Sequence, residues 1–213
     1  MLLGTAPFGV VFGAFALEMK LGVLGGQGLS AIVFAGSSQF VGANLYGQGA
    51  SLLIIFITTF FINLRHALYG AALAPKLSQI KTRERILMSF FITDEAFAIV
   101  SRFDVILSRY FWGTALAMYI NWQVWTFIGL VSGGYLREYL SLNLGFVLVP
   151  AFIAIITPQI KTNSSILCVT VAAGLSLVFV NLPHQSGFII AAVSAIILTV
   201  LFEIFFPKSK SIR

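Results

Sequence analysis

Charge is what this sequence most lacks. Lys, Arg, Asp and Glu together make up 9% of its 213 residues, against roughly 25% in an ordinary soluble domain. Hydrophobic residues make up 59%, and the mean hydropathy is +0.98. Those values exclude a soluble globular domain, a disordered chain and a nucleic-acid binder. Cysteine is nearly absent: Cys168 stands alone in an apolar run, which excludes a disulfide framework and a cysteine metal site. The two histidines, His66 and His184, are far apart in the chain, and their spacing suggests no metal site. No Gly-Lys-Ser/Thr phosphate loop occurs, so ATP hydrolysis is not expected. No cofactor is implied. No nucleophile arrangement or two-metal ligand set stands out, so the chain is not read as an enzyme. The N-terminus has neither a basic leading region nor a clear cleavage site and does not read as a removable signal peptide.

What is present is long apolar sequence. A bilayer span needs about 20 mostly apolar residues, and eight candidate segments are found, near 2–17, 29–46, 51–73, 86–100, 110–131, 142–160, 164–180 and 186–206. They are too uniformly apolar for the alternation of a membrane β-barrel. Short polar breaks separate them, containing Lys20 with Gly25-Gly26, Gly47-Gln48-Gly49, Lys76 to Arg85, Arg102 to Arg109, Arg137-Glu138, Pro158 to Asn163, and Asn181 to Gln185. The expectation is an all-α, polytopic integral membrane protein, with a single transmembrane domain over 1–206 and a short basic tail over 207–213.

The basic residues choose among topologies. If all eight segments cross, those outside the spans divide evenly between the two sides. If segment 86–100 enters without crossing, Lys20, Lys76, Lys81, Arg83, Arg85, Arg102, Arg109, Lys161, Lys208, Lys210 and Arg213 share one side, and Arg137 alone stands opposite. Positive residues favour the cytoplasmic side. Segment 86–100 is also the shortest and carries two carboxylates. About seven transmembrane helices plus one short re-entrant or broken helix are therefore expected, with the N-terminus out and the C-terminus cytoplasmic.

Glycine is abundant, and many glycines fall inside spans. Gly9 and Gly13 form a small-xxx-small pair, and Gly36, Gly42 and Gly47 interrupt the second segment. Such residues mark either close helix packing or a helix break, and both readings stand. Pro7 and Pro150 can kink or start their helices. Trp112, Tyr119, Trp122 and Trp125 are expected to be interfacial or lipid-facing anchors.

Three polar constellations lie within apolar runs, where an ionisable residue costs roughly 2.5–3.5 kcal/mol on insertion scales. The first is Ala35-Gly36-Ser37-Ser38-Gln39-Phe40. Its hydroxyls and amide suit either ligand contact or hydrogen bonds between helices. The second is Asn63-Leu64-Arg65-His66-Ala67-Leu68-Tyr69-Gly70. Here Asn63 and His66 share one face and Arg65 and Tyr69 a neighbouring one. Arg65 is always charged and forks onto carboxylates, while His66 can carry a proton near neutral pH. The third is Thr93-Asp94-Glu95 with Phe91 and Phe97 on either side. Adjacent carboxylates between apolar flanks need a partner or a proton. Pairing of Arg65 with Asp94 or Glu95 is the economical inference, and a pair that substrate or proton can break suits a transport switch.

In this order and spacing these strings resemble the AzlC/YgaZ family of bacterial branched-chain amino acid exporters. The likeness begins at Pro7-Phe8-Gly9 and continues through Leu73-Ala74-Pro75. Gly145-Phe146 and Pro150-Ala151-Phe152 extend it over essentially the whole chain. The family usually has a longer lead-in before its Pro-Phe-Gly string. The resemblance implies the large subunit of a two-component exporter in the bacterial inner membrane. Its partner would be a small AzlD/YgaH-like membrane subunit. Its substrates would be leucine, isoleucine and valine, with methionine a further candidate. With no phosphate loop, the natural mechanism is secondary active transport coupled to proton entry. The alternative is a channel or pore-forming subunit for small solutes. Ser37, Ser38, Gln39, Asn63, Arg65, Tyr69 and Thr93 are the substrate-binding candidates, and His66, Asp94 and Glu95 the proton-coupling or ion-pair candidates. Arg65, Gln39 and helix-break amides could hold a carboxylate, and Asp94 or Glu95 an ammonium group. Phe40, Phe91 and Phe97 could line the apolar part of the site.

Overall fold

A computed structural model describes residues 2–140, 162–182 and 186–205, with isolated positions 153, 157 and 160. The rest of the expected segment 142–160, His184 and the tail 207–213 lie outside the described residues. Within them the chain is all-helical, with no strand. It forms two compact units, residues 1–150 and 151–213. The first holds α1 (Leu2–Glu18), α2 (Gly22–Val33), α3 (Gly36–Gly47), α4 (Leu52–Leu73), a 3₁₀ turn (Ala74–Leu77), α5 (Thr82–Phe90), α6 (Asp94–Val100) and α7 (Ser108–Leu140). The second holds α8 (Asn163–Val178) and α9 (Ser186–Phe205). These pack on each other, and at Gly187 a Cβ would collide with the Phe179 carbonyl.

Two glycine stripes bring α1 and α7 into backbone contact. A Cβ at Gly9 would lie 2.7 Å from the Cβ of Trp125, and one at Gly133 would lie 2.9 Å from the Cα of Ala14. At Gly13 and Gly129 it would strike the carbonyl oxygens of Thr126 and Val10. Gly9 and Gly13 therefore serve packing. Lipid tails are as apolar as leucine, so such dense backbone contact is what holds helices together in a bilayer.

A polar ladder fixes α2 to α7. Gln27 Nε2 donates to Gln123 Oε1 at 2.6 Å, and Gln123 Nε2 donates to the Ser30 carbonyl at 3.1 Å. The Ser30 and Thr126 hydroxyls, both fully buried, meet at 3.2 Å. Tyr119 donates to the Ala31 carbonyl at 3.1 Å. The expected lipid-facing role fails for Trp122, which is 7% exposed and donates its indole N–H to Gln39 Oε1 at 3.1 Å. Trp125 donates to Asn121 Oδ1 and Trp112 to Glu84, so these indoles too are engaged with protein. A fully apolar environment leaves a polar N–H unsatisfied, and each ring turns to an acceptor.

Two expected segments are broken. The run 29–46 is not one helix: α2 starts at Gly22, enclosing Gly25-Gly26, and stops at Val33. Phe34 then adopts the left-handed conformation (φ 42°, ψ 43°) and Ala35 is extended before α3 begins. A bulky residue there is strained by about 1–3 kcal/mol. Packing holds it: the buried Phe34 ring lies 4.8 Å from Tyr119 and 6.4 Å from both Phe90 and Phe91. The run 86–100 is likewise two short helices, α5 and α6, broken over Phe91 to Thr93. Thr93 caps α6 by accepting from the Ala96 N–H at 3.2 Å. Asp94 and Glu95 occupy the first turn, where negative charge complements the helix dipole.

Continuous with its 3₁₀ turn, α4 runs from Leu52 to Leu77 and is the one helix among the described residues long and apolar enough to cross a membrane. Leu2–Glu18, Gly22–Val33, Asn163–Val178 and Ile190–Phe205 are shorter apolar helices. The end of α4 is anchored in a core of Leu73, Leu77, Ile80, Met88, Ile92, Val100, Ile106, Phe111 and Ala115. That core packs α5 and α6 against α4 and α7, and so sets α6 beside the middle of α4.

Candidate functional site

The site is built where α6 meets α4. Arg65 lies midway along the 26-residue Leu52–Leu77 helix. At about 1.5 Å per residue it stands roughly 18–20 Å from either end. Its Nη1 contacts Asp94 Oδ2 at 2.6 Å, as both hydrogen bond and ion pair, with the side chains 27% and 28% exposed. Among the described residues this is the sole salt bridge. Glu95 is half-buried and takes no hydrogen bond or ion pair among the described residues. The Thr93 cap fixes the first turn of α6, from which Asp94 reaches Arg65.

On α4 and at the start of α6 several buried polar atoms have no partner among the described residues. They are Arg65 Nε, Asp94 Oδ1, Asn63 Oδ1 and His66 Nε2. Buried polar groups are overwhelmingly hydrogen-bonded in native structures, so this cluster of open positions marks a place that can receive a ligand or a proton. Tyr69 closes one side. Its ring stacks on Phe97 at 4.5 Å and lies 6.0 Å from His66, within electrostatic reach of Arg65, Asp94 and Glu95.

The candidates from α3 divide. Ser38 Oγ is engaged with the Ala35 carbonyl at 2.9 Å, and the Thr93 hydroxyl is engaged in its cap. Ser38 Oγ keeps its acceptor lone pairs and Thr93 Oγ1 its O–H donor. Ser37 Oγ and Gln39 Nε2 are buried without a partner among the described residues. Phe40 does not line the site: it is 3% exposed and packs on Phe12 and Phe15 at 5.3 and 5.9 Å. Phe91 belongs to the aromatic cluster between the two helix breaks, 5.4 Å from both Trp112 and Tyr119.

Sequence reasoning missed the polar ladder. A signal for it exists: Tyr119, Trp122, Gln123 and Thr126 stand at i, i+3, i+4 and i+7, and so do Gln27, Ser30, Ala31 and Phe34. It also missed Glu84 on α5, which accepts from the Ser108 hydroxyl and, at 3.0 Å, from Trp112 Nε1. Those two hydrogen bonds hold the Glu84 carboxyl below its ordinary pKa.

Comparison with known proteins now bears on this arrangement. The family model described as AzlC protein matches residues 1–136, which contain both helix breaks and the ion pair. The chain belongs to the AzlC family. It is similar to the inner membrane protein YgaZ of Escherichia coli, 31% identical over 211 residues that cover 92% of this chain and 86% of the relative. It is also similar to the branched-chain amino acid transport protein AzlC of Bacillus subtilis, 28% identical over 205 residues, 93% of this chain and 80% of the relative. An uncharacterized membrane protein of Archaeoglobus fulgidus is 32% identical over 164 residues, 76% of this chain and 72% of the relative. No solved structure matches. Like these relatives, this AzlC-family chain is a membrane protein.

Proposed function

We propose that the chain is a secondary active transporter that exports branched-chain amino acids across the bacterial inner membrane, driven by proton entry. Leucine, isoleucine and valine are its substrates, with methionine a further candidate. A small AzlD-like membrane subunit is its partner. About seven crossings and a cytoplasmic C-terminus complete the reading. It is supported by family membership and by the transport role in the name of the Bacillus subtilis relative.

One observation carries it: Arg65, at the centre of α4, pairs with Asp94, and Arg65 Nε and Asp94 Oδ1 stay open among the described residues. Charges at membrane depth are costly and mark substrate and proton pathways. A substrate ammonium can replace the guanidinium at Asp94, and protonation of Asp94 releases it again. His66 and Glu95 stand beside the pair as proton-handling groups. The broken α2–α3 and α5–α6 elements match the discontinuous helices that build transporter sites.

The test uses proteoliposomes loaded with labelled leucine, with and without the small partner, under an imposed pH gradient. Saturable, gradient-dependent efflux is expected. Its absence in both preparations removes the exporter reading. Efflux that neither saturates nor responds to competing isoleucine assigns the chain to the passive-pore alternative.

A further inference from the structure

We propose that the first turn of α3 is the carboxylate subsite of this protein, the place where the α-carboxylate of an amino acid is held. The proposal rests on the transport reading only for the identity of the ligand. The sequence leaves Arg65, Gln39 and helix-break amides competing for that task. Arg65 is paired with Asp94 in this structure, whereas the donors at the start of α3 take no partner among the described residues.

Three features of α3 supply them. It is a 12-residue helix that starts inside the protein, and its N-cap, Ala35, makes no side-chain cap. The Gly36, Ser37 and Ser38 N–H groups take no acceptor among the described residues, because the first backbone bond of the helix is Gln39 N–H to the Ala35 carbonyl at 2.9 Å. Free amides at the positive end of a helix dipole form an anion site. Ordinarily a Ser, Thr, Asp or Asn cap would satisfy them, and here Ala35 cannot.

Independent of the backbone, two side chains point to a ligand. Gln39 is fully buried, and its Nε2 has no acceptor among the described residues, although its Oε1 is held by Trp122. Side chains on a helix lean toward the N-terminus, so residue 39 covers the first turn. Trp122 confirms that side: its ring edge would lie 3.3 Å from a Cβ at Gly36 while its indole N–H reaches Gln39. Ser37 Oγ is buried and also unpartnered among the described residues. The vacant partners are donors or a rotatable hydroxyl, which is the complement of a carboxylate and not of an ammonium group.

Register sets this turn at the height of the ion pair along the helix axes. α3 and α4 are joined by a short turn and run antiparallel, and Gly42 faces Thr59, whose methyl would be 3.2 Å from an added Cβ. Six residues back from Gly42 is Gly36, and six onward from Thr59 is Arg65. Equal steps along both helices put the α3 N-terminus level with Arg65 and Asp94. A zwitterion then finds amides for its carboxylate at one element and Asp94 for its ammonium at another.

The experiment measures equilibrium binding to the purified full chain of labelled leucine, of 4-methylpentanoate (leucine without its amino group) and of 3-methylbutylamine (leucine without its carboxylate). Ser37→Asp supplies a built-in carboxylate to the first turn. It is expected to weaken leucine and 4-methylpentanoate binding at least tenfold and leave the amine within twofold, with the melting temperature unchanged or raised. Gly36→Ala adds a methyl group against Trp122 and is expected to weaken the same two ligands, so the test survives if the aspartate variant does not fold. Failure of 4-methylpentanoate to bind overturns the proposal, as does binding unmoved by either variant. Carboxylate binding that Ser37→Asp abolishes, in a protein that moves no leucine, upholds the subsite and refutes transport. Leucine efflux unmoved by both variants does the reverse.

Discussion

Neutralising the ion pair gives the sharpest quantitative expectation. At 2.6 Å and an effective dielectric constant near 20, the attraction is about 6 kcal/mol. Desolvation of both charges offsets much of that, so the intact pair contributes little net stability. Removing one member is different, because the other is left without its counter-charge at about 3–5 kcal/mol. With each side chain a little over a quarter exposed, the lower end applies. Arg65→Gln and Asp94→Asn should each cost about 3 kcal/mol. The double variant should cost well below their sum, with a coupling energy near 2 kcal/mol, as expected for residues in direct contact. Denaturant titration of the four proteins in mixed micelles reads these values. Flux in the assembled double variant separates the roles: a transport switch predicts no leucine efflux from a folded protein, and a structural staple predicts normal efflux. Additive single losses, with coupling below about 0.5 kcal/mol, would refute the physical argument.

Gly13→Leu and Gly129→Leu should each abolish the folded protein on size-exclusion chromatography, because either side chain meets backbone of the facing helix, whereas Gly4→Leu, in open space, should elute unchanged. Glu84 predicts a pH effect of definite sign. Its folded pKa is depressed by Ser108 and Trp112, so its stabilisation is complete above the unfolded carboxylate pKa near 4.3 and disappears as pH falls through the folded value. Glu84→Gln should flatten the melting temperature between pH 6 and about pH 3 relative to the parent chain. A variant whose acid profile matches the parent's would show that these hydrogen bonds are not formed in solution. Trp122→Phe should lower stability by about 1–3 kcal/mol in the same micelle titration, since it leaves the buried Gln39 amide without its one observed partner.

The helical class and the polar positions were legible because they depend on local chemistry. A charge in a 26-residue apolar helix stands out in a linear reading, and a single acidic pair left Arg65 few possible partners. The choice of Asp94 over Glu95 was not legible, since it depends on how α6 is placed once the run 86–100 has broken. The break at Phe34 was hidden for a related reason. No glycine or proline marks position 34, and the left-handed backbone is held by rings from residues about 56 and 85 positions away, Phe90, Phe91 and Tyr119. Trp122 was misread because tryptophan is common at membrane interfaces. Its i−3, i+1 and i+4 neighbours Tyr119, Gln123 and Thr126 carried the contrary signal.

These contacts also imply uneven mobility, which amide exchange can measure. α1 and α7 touch through backbone along two glycine stripes, and α2 is bonded to α7 through buried polar groups. α5 and α6 are 9 and 7 residues long, well below the length at which an isolated helix is stable, and depend on the core at the end of α4 and on the ion pair. Opening in such short, marginally held elements costs less than global unfolding. Amides of α6 should therefore exchange faster than those of α1 and α7 in the parent chain. Arg65→Gln with Asp94→Asn should accelerate α6 further while leaving α1 and α7 unchanged. An acceleration spread evenly over α1, α6 and α7 would show that the pair supports the whole fold, and the idea of a locally released α6 would fall with it.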